Sequence, residues 1–253
     1  MNSPIATFLT LLYSWVIWRL TVTSRSYQIE KSKRSAGVLT LRKRILFIIL
    51  AYCIQLIYIP TSNRITGGIE PKLPIDIFPI WSIWVLPYVL CYVLWFSSVI
   101  WIVLKMEDRL FRSFIAACIF TFAIGTITFI LFPTYVKPAT VAGNDVFTLL
   151  LRIIHEHWGR YDAFPSGHVY ITTLLALFFS RWYPRWKYLW VLILVLVSFS
   201  TLFTGQHYIL DVLGGYLIAL AGYHFGLWWA GFYPAQKRSN KRSGKRITSS
   251  SLN

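Results

Sequence analysis

The sequence predicts an all-α protein, a polytopic bundle of apolar helices that crosses a membrane. Hydrophobic residues make up 56% of the 253 residues and charged residues only 13%, against about 45–50% and about 25% in typical soluble domains. The apolar residues are collected in runs, and about 20 such residues in a helix cross a hydrocarbon core about 30 Å thick. These segments must be helical because lipid offers no water to satisfy backbone polar groups.

The apolar runs define the candidate spans and the division of the chain. The spans are residues 5–23, 45–60, 79–104, 113–133, 167–180, 188–204 and 208–230. We divide the chain into an N-terminal helix with a basic cytoplasmic loop (1–44), a core of six spans (45–235) and a basic disordered cytoplasmic tail (236–253). Residues 1–4 lack the basic region of a cleaved signal peptide, so the first span is expected to stay. Arg19 leaves open a helix that lies flat on the membrane surface.

The distribution of positive charge predicts the orientation of the spans. The chain has 25 Lys and Arg against 9 Asp and Glu, a formal net charge of +16. Nineteen of the basic residues fall in regions that the alternation of spans places on one side, and only five fall on the other. Cytoplasmic loops retain Lys and Arg, so loops 61–78 and 134–166 are predicted to face outside and the C-terminus to face the cytoplasm. Topology explains the basic excess, and no nucleic-acid partner is expected.

A Pro-Ser-Gly-His sequence opens the span that begins at residue 167. Proline suits the first turn of a helix, Ser166 is a good N-cap, and Gly167 lets a ligand approach the backbone closely. Free amide groups at a helix N-terminus form an anion site, and His168 lies in the turn beside it. A tight turn capped by the histidine would explain the same residues, so this segment alone leaves both interpretations open.

A histidine and an aspartate stand four residues apart at the start of the last span. His207 and Asp211 therefore lie one turn apart on one helix face. A carboxylate that accepts one imidazole N–H fixes the tautomer and leaves the other nitrogen as a nucleophile or base. Gly214 and Gly215 continue this face without side chains, so a neighbouring helix can pack closely. A structural polar pair is the alternative, but ionisable groups at membrane depth are costly, which favours a function.

Together these segments indicate phosphoryl transfer. The predicted topology brings His168, His207 and Asp211 to the outer interface, with Lys137 from the segment after the fourth span. One imidazole would attack phosphorus and the other would protonate the leaving oxygen, while cations and amide groups hold the phosphate oxygens. The scheme requires no metal and no cofactor.

Two other groups of residues receive structural interpretations. The His-Glu-His sequence at 155–157 resembles a metal cluster, but adjacent positions on a helix do not face one another. A solvated loop or a short amphipathic helix across 146–158 is expected instead. The aromatic residues of the span 79–104, Tyr88, Tyr92 and Trp95 among them, suit the membrane interface and lipid contact.

The motifs resemble those of the type 2 phosphatidic acid phosphatase superfamily of membrane lipid-phosphate phosphatases. Its three motifs are Lys-x6-Arg-Pro, Pro-Ser-Gly-His and Ser-Arg-x5-His-x3-Asp. The second is intact at residues 165–168, the third is kept in its spacing over residues 200–211, and the first survives only as Lys137-Pro138. The spans from 45 to 230 are similar to the six-helix core of this superfamily, and segment 5–23 would be an addition.

The resemblance implies a role for each matching residue. His207 would be the nucleophile that becomes phosphorylated, and Asp211 would orient it. His168 would be the general acid for the leaving alcohol and then the base for the incoming water. The implied phosphate-binding residues are Lys137, Ser166, Gly167 and Ser200.

Two cations of the superfamily's motifs are absent from this chain. Ile130 stands in place of the leading Lys, and Thr201 in place of the Arg of the third motif. Phosphate binding is therefore expected to be weaker unless other groups compensate, and Arg152 and Arg160 are candidates. Asp162, close to the second motif in sequence, is a candidate for tuning its histidine.

The sequence thus predicts a multi-pass protein of a bacterial inner membrane or a plasma membrane, with an extracytoplasmic active site. The favoured function is a phosphatase acting on phosphatidate or an isoprenoid pyrophosphate. In lacking this Arg, the chain is also similar to a phosphotransferase branch of the superfamily, which includes sphingomyelin synthases and fungal inositol phosphorylceramide synthases. Transfer of a headgroup to a lipid alcohol therefore stays open. A non-catalytic lipid-binding or transport protein is the third interpretation. The expected partners are a lipid phosphate and the membrane, and the oligomeric state is left open.

Overall fold

The protein is all-helical over the residues that its computed structural model describes, as the sequence predicts. These residues are 38–62, 65, 67–137, 140–157 and 161–233. The helices are α1 (Leu41–Leu56), α2 (Tyr58–Ser62), α3 (Val85–Lys105), α4 (Asp108–Leu131), α5 (Val146–His157), α6 (Gly167–Trp182), α7 (Lys187–Phe203) and α8 (Ile209–Trp229). The predicted span 5–23 and the basic tail lie outside the described residues.

Among the described residues, five helical segments are long and apolar enough to cross a membrane, which is consistent with an integral membrane protein. They are Leu41–Pro60, Ser82–Lys105, Asp108–Leu131, Pro184–Phe203 and Ile209–Trp229. Each overlaps one predicted span, with small shifts at the ends. The predicted span 167–180 is α6, which has 16 residues. The complete core of six spans and the additional N-terminal helix remain predictions.

Helix α6 lies at the centre of the bundle. Thirteen of its 16 residues are buried, and it packs against α7 and α8 along most of its length. A helix that is buried on nearly all sides belongs to the interior of the bundle rather than to the lipid boundary. The residues at the start of α6 are therefore surrounded by protein, which suits a site that must be held in place.

Small residues bring α8 against α4. A Cβ atom on Gly222 would lie 2.0 Å from Oγ1 of Thr121, and one on Gly226 would lie 2.2 Å from the carbonyl oxygen of Ser113. Only glycine allows the backbones to approach this closely. The contact fixes α8 in the bundle, and with it the position of the residues at its N-terminal end.

Helix α1 forms an outer wall of the bundle, attached by polar contacts at both ends. The guanidinium of Arg44 pairs with the Asp108 carboxylate and donates to the carbonyl of Val103 at 3.0 Å. Near the other end, the Tyr170 hydroxyl donates to Oε1 of Gln55 at 2.8 Å. Most of the remaining α1 side chains are exposed, as expected for a helix that faces lipid.

Candidate active site

One end of the bundle is closed by connecting segments that hydrogen-bond to one another. The amide of Ile69 donates to the carbonyl of Pro133 at 2.9 Å, and the amide of Tyr135 donates to the carbonyl of Ile69 at 3.1 Å. The amide of Ala163 donates to the carbonyl of Thr134 at 3.1 Å. These bonds hold the segment after α4 and the segment before α6 together over the helix ends.

The first turn of α6 places His168 against a wall of aromatic side chains from α3. Nε2 of His168 lies 2.9 Å from the hydroxyl oxygen of Tyr92. The imidazole also packs on Tyr88, with ring centroids 4.2 Å apart, and on Trp95, at 5.5 Å. The three aromatic residues share one helix face because they are spaced four and three residues apart. They fix the plane of the imidazole.

A tight turn between α7 and α8 carries His207. Gly205 has a φ of +68°, a conformation that glycine adopts without strain. The amides of Gln206 and His207 both donate to the carbonyl of Thr201, each at 3.1 Å. The turn brings the imidazole of His207 to within 5.9 Å of that of His168, measured between ring centroids.

The carboxylate of Asp211 lies close to His207, but the two are not on one helix face as predicted, because His207 precedes α8, which begins at Ile209. Its Oδ2 atom is 3.5 Å from Nδ1 of His207 and accepts a 2.7 Å hydrogen bond from the amide of Tyr208. A separation of 3.5 Å is longer than the usual N–H···O distance of about 2.9 Å. The side chain of Asp211 is fully buried, so its charge acts on the imidazole through a region that water does not reach.

The two motif segments are joined directly. The amide of Ser166 donates to the carbonyl of Asp211 at 2.9 Å. A Cβ atom on Gly215 would lie 2.9 Å from the carbonyl oxygen of Ser166, and one on Gly214 would lie 2.4 Å from the ring of Phe164. The two glycines therefore allow the start of α6 to pack on α8, the close approach that their lack of side chains indicates.

Both imidazoles line a cavity of about 960 Å³ at this end of the bundle. Gly167 and Asp162 also line it, as do many tyrosines. On one side the wall is formed by residues of α1, α2 and α3 that are themselves exposed, namely Leu56, Ile59 and Phe96, at 50%, 43% and 69%. The cavity thus extends from the two histidines to the apolar outer surface of the bundle.

The predicted phosphate-binding residues occupy different environments. Gly167 is on the cavity wall. The hydroxyl of Ser166 is buried and makes no hydrogen bond to the described residues, whereas that of Ser200 donates to the carbonyl of Val197 at 2.7 Å. Lys137 is exposed on the closing segment and is not on the wall. Of these four residues, only Gly167 therefore lines the cavity that contains both histidines.

No Lys or Arg lines the cavity within the part of the chain that the structure describes. The guanidinium of Arg152 donates instead to the carbonyls of Val141, at 3.2 and 3.1 Å, and Gly143, at 2.6 Å. These hydrogen bonds hold the loop before α5 in place. Arg160 lies outside the described residues. The supporting roles suggested for these two arginines stay predictions.

Three aromatic residues and one histidine of the site were not predicted from the sequence to belong to it. The expected lipid contact of Tyr88 and Trp95 is wrong, since both are buried, at 1% and 7% exposure, against His168. His155, on the amphipathic helix α5, lines the cavity, and its Nε2 lies 2.8 Å from the carbonyl of Thr204. The only sequence signal is the heptad-like spacing of the aromatic residues, which does not say which helix face is covered.

Asp162 is half-buried on the cavity wall close to His207. Burial raises the pKa of its carboxyl above the usual value, and the charge of His207 partly offsets this effect. Asp162 therefore lies near His207 as well as near the segment 165–168, which it precedes in sequence.

The fold and the site together describe a helical membrane protein with two neighbouring histidines at one end of its bundle. The sequence model of the PAP2 superfamily matches residues 80–225, more than half of the chain. The match includes α3 to α7 and most of α8, and with them both histidines. The chain belongs to the PAP2 superfamily.

Two named proteins are similar to the chain over shorter segments. An inositol phosphorylceramide synthase of Candida albicans is 32% identical over 65 residues, which are 26% of this chain and 14% of that protein. A putative undecaprenyl-diphosphatase, YbjG, of Escherichia coli is 34% identical over 67 residues, 26% of this chain and 34% of that protein. The matched segments thus span about a seventh and about a third of these relatives. No solved structure matches the chain.

Proposed function

We propose that the protein is a membrane lipid-phosphate phosphatase that works through a phosphohistidine intermediate. Its substrate would be phosphatidate or an isoprenoid pyrophosphate, and membership of the PAP2 superfamily supports a phosphatase- or phosphotransferase-type function. The observation that carries the proposal is the 5.9 Å separation of the His168 and His207 rings in one cavity. Because both rings line the same cavity, a phosphoryl group bound there could contact a nucleophile and an acid at once.

The geometry assigns the two histidines different roles in the first step. Nδ1 of His207 faces Asp211, so Nε2 is the nitrogen that would attack phosphorus. A P–N bond forms, and the P–O bond to the leaving group breaks; the leaving group is the lipid alcohol of phosphatidate or the lipid monophosphate of a pyrophosphate. His168 would give its proton to the leaving oxygen. In the second step His168 takes a proton from water, the hydroxide oxygen attacks phosphorus, the P–N bond breaks, and inorganic phosphate leaves.

The shape of the cavity supports a lipid as the substrate. The wall formed by Leu56, Ile59 and Phe96 joins the histidines to the exposed apolar surface. An acyl or isoprenoid chain could remain in the membrane while its phosphate reaches the imidazoles, which avoids the large cost of exposing the chain to water. The charge distribution of the loops favours the extracytoplasmic side for this end of the bundle.

A lipid headgroup phosphotransferase is the second candidate. Thr201 occupies the position of a family Arg, and the match to an inositol phosphorylceramide synthase favours this alternative. Both reactions share the phosphohistidine step and differ only in whether water or a lipid alcohol accepts the phosphoryl-linked group.

The test uses the purified protein in lipid nanodiscs with phosphatidate or undecaprenyl pyrophosphate. We expect inorganic phosphate to be released, and His207→Ala to reduce the release to background. Rapid acid-free quenching of ³²P-labelled substrate should trap label on His207. Transfer of the headgroup to an added lipid alcohol without phosphate release would favour the second candidate.

His224→Ala provides the matched control. His224 is not on the cavity wall, and its Nδ1 lies 2.5 Å from the hydroxyl of Tyr233 near the far end of α8. This variant should keep the wild-type rate. Lipid binding without turnover of any phosphate ester would reject both enzymatic functions and favour a lipid-binding protein.

A further inference from the structure

The hydroxyl of Tyr92 is hydrogen-bonded to the histidine assigned as general acid. The distance between the Tyr92 oxygen and Nε2 of His168 is 2.9 Å, and the two rings meet edge to face, with centroids 5.4 Å apart and planes at 86°. The contact joins α3 to the first turn of α6. Tyr92 also lies on the cavity wall.

We infer that Tyr92 is a positioning residue for His168, and that its hydroxyl keeps one imidazole nitrogen engaged throughout the proton-transfer cycle. The inference rests on the proposed function, because it assigns the partner of the acid in that reaction. This role also explains why the partner of His168 is uncharged, whereas the partner of His207 is a carboxylate.

The two histidines need different partners because their tasks differ. A nucleophilic imidazole gains from a fixed negative charge such as that of Asp211, which favours one tautomer and stabilises the cation formed on attack. A general acid must instead pass between its neutral and protonated forms. A hydroxyl is both donor and acceptor. The Tyr92 oxygen can accept from Nε2–H in both forms of the ring, and because it carries no negative charge it does not hold the imidazole in its protonated form.

The proton balance is simple. Protonated His168 holds one proton on Nε2, directed at the Tyr92 oxygen, and one on Nδ1, which it gives to the leaving alkoxide. The neutral ring keeps its Nε2–H directed at the Tyr92 oxygen, and its free Nδ1 takes a proton from water in the second step. Tyr92 stays uncharged throughout.

Neighbouring contacts hold the hydroxyl in place. The Tyr92 ring packs edge to face on Trp95, at 5.0 Å between centroids, and the indole N–H of Trp95 donates to Oγ1 of Thr172 at 3.0 Å. The Tyr88 ring packs on the same imidazole, with ring centroids 4.2 Å apart. Removal of the hydroxyl alone would therefore leave the packing of the ring in place, and Tyr92→Phe is a conservative test.

The experiment compares two phosphate esters that differ in their need for an acid. One is a short-chain phosphatidate, whose alkoxide must be protonated as it leaves; the other is an aryl phosphate, whose phenolate leaves without a proton. In single-turnover reactions that report P–O cleavage, Tyr92→Phe should slow the first by about 10-fold or more, within the range of general acid catalysis, and the second by less than about threefold. His168→Asn should show the same selectivity with larger losses.

A matched control is Tyr216→Phe, which removes a buried tyrosine hydroxyl that lies 2.7 Å from Oγ of Ser198 and away from the cavity wall. It should change neither rate selectively. Equal slowing of both esters by Tyr92→Phe, or no slowing of either, would overturn the inference.

A second readout does not depend on turnover. In protein labelled with ¹⁵N-histidine, the His168 signals are those absent from His168→Asn. Tyr92→Phe should shift the Nε2 resonance of His168, and Tyr216→Phe should not. A wild-type protein that cleaves neither ester would refute the proposed function, while an unshifted Nε2 resonance would refute the Tyr92 contact.

Discussion

The backbone amide of Ser166 donates a hydrogen bond to the carbonyl of Asp211. It links the start of α6, which carries one imidazole, to the first turn of α8, which orients the other. The two ends therefore move together, and the distance between the histidines depends on helix packing rather than on the long connecting segments.

Gly215→Ala should separate these two ends. The new Cβ atom would lie 2.9 Å from the carbonyl oxygen of Ser166 and 3.0 Å from Cβ of Val169, and backbone has little freedom to retreat. Overpacking of this kind costs about 1–3 kcal/mol, more than the gain of about 1 kcal/mol from replacing glycine in a helix. We expect a lower thermal midpoint in detergent, with loss of phosphate release.

Gly67→Ala is the control for that variant, because a Cβ atom there would have no atom within 4 Å. It should keep the wild-type midpoint and rate. An unchanged midpoint for Gly215→Ala would show that α6 and α8 are not held at this point.

Asp211→Asn should lower kcat while the protein stays folded. The amide oxygen of Asn can still accept from the amide of Tyr208, but the charge behind His207 is lost. Removing a carboxylate that orients an imidazole has cost about 10⁴-fold in the serine-protease triad, and we expect a fall of about 10²–10⁴-fold here. Steady-state phosphate release and a thermal melt measure the two effects, and a wild-type kcat would contradict the assigned role.

The Asp162 carboxyl should make the folded protein less stable as the pH rises. Because burial raises the pKa of this carboxyl, the folded state holds its proton more tightly than the unfolded state does. Stability is therefore lost as pH rises from the unfolded pKa of about 3.9 through the raised folded pKa. Asp162→Asn should be more stable than wild type near pH 7, and the difference should shrink as the pH is lowered to 4.

Thermal midpoints of both proteins across that pH range test this prediction. A difference that grows on acidification would mean that the carboxylate, rather than the carboxylic acid, is stabilised in the folded protein.

Arg152→Ala should affect stability more than substrate binding. Three hydrogen bonds from the guanidinium to the carbonyls of Val141 and Gly143 would be lost, at about 0.5–1.5 kcal/mol each. We expect a lower thermal midpoint. The KM for phosphatidate should stay within about threefold of wild type, because KM would rise only if Arg152 contributed to substrate binding. A KM raised tenfold would instead assign Arg152 to phosphate binding, and Arg160→Ala gives the comparison for the other candidate.

The spacing of the motifs predicted that His207 and Asp211 lie together, and the structure places them together, although His207 precedes α8 instead of lying on it. The adjacent glycines predicted a close helix contact, and the structure shows that it is made with the start of α6. These features depend on residues a few positions apart, which a sequence displays directly, while the catalytic roles stay predictions. The five spans described here followed equally from the length of the apolar runs.

The partners of His168 could not be predicted, because they depend on which face of α3 meets α6. Tyr88, Tyr92 and Trp95 have the composition of a lipid-facing aromatic belt, and only packing shows that they are turned inward. The same holds for His155, whose place on the wall is set by how α5 folds back over the bundle. Rotation about a helix axis is a tertiary property, and in an apolar span hydrophobicity does not reveal it.

The joining of α6 to α8 has a consequence for biosynthesis. His207 and Asp211 both follow residue 206, so under the proposed function a nascent chain that ends before them would lack the nucleophile and its carboxylate. Activity would begin only when α8 has docked against α6, which couples the onset of function to the insertion of this helix.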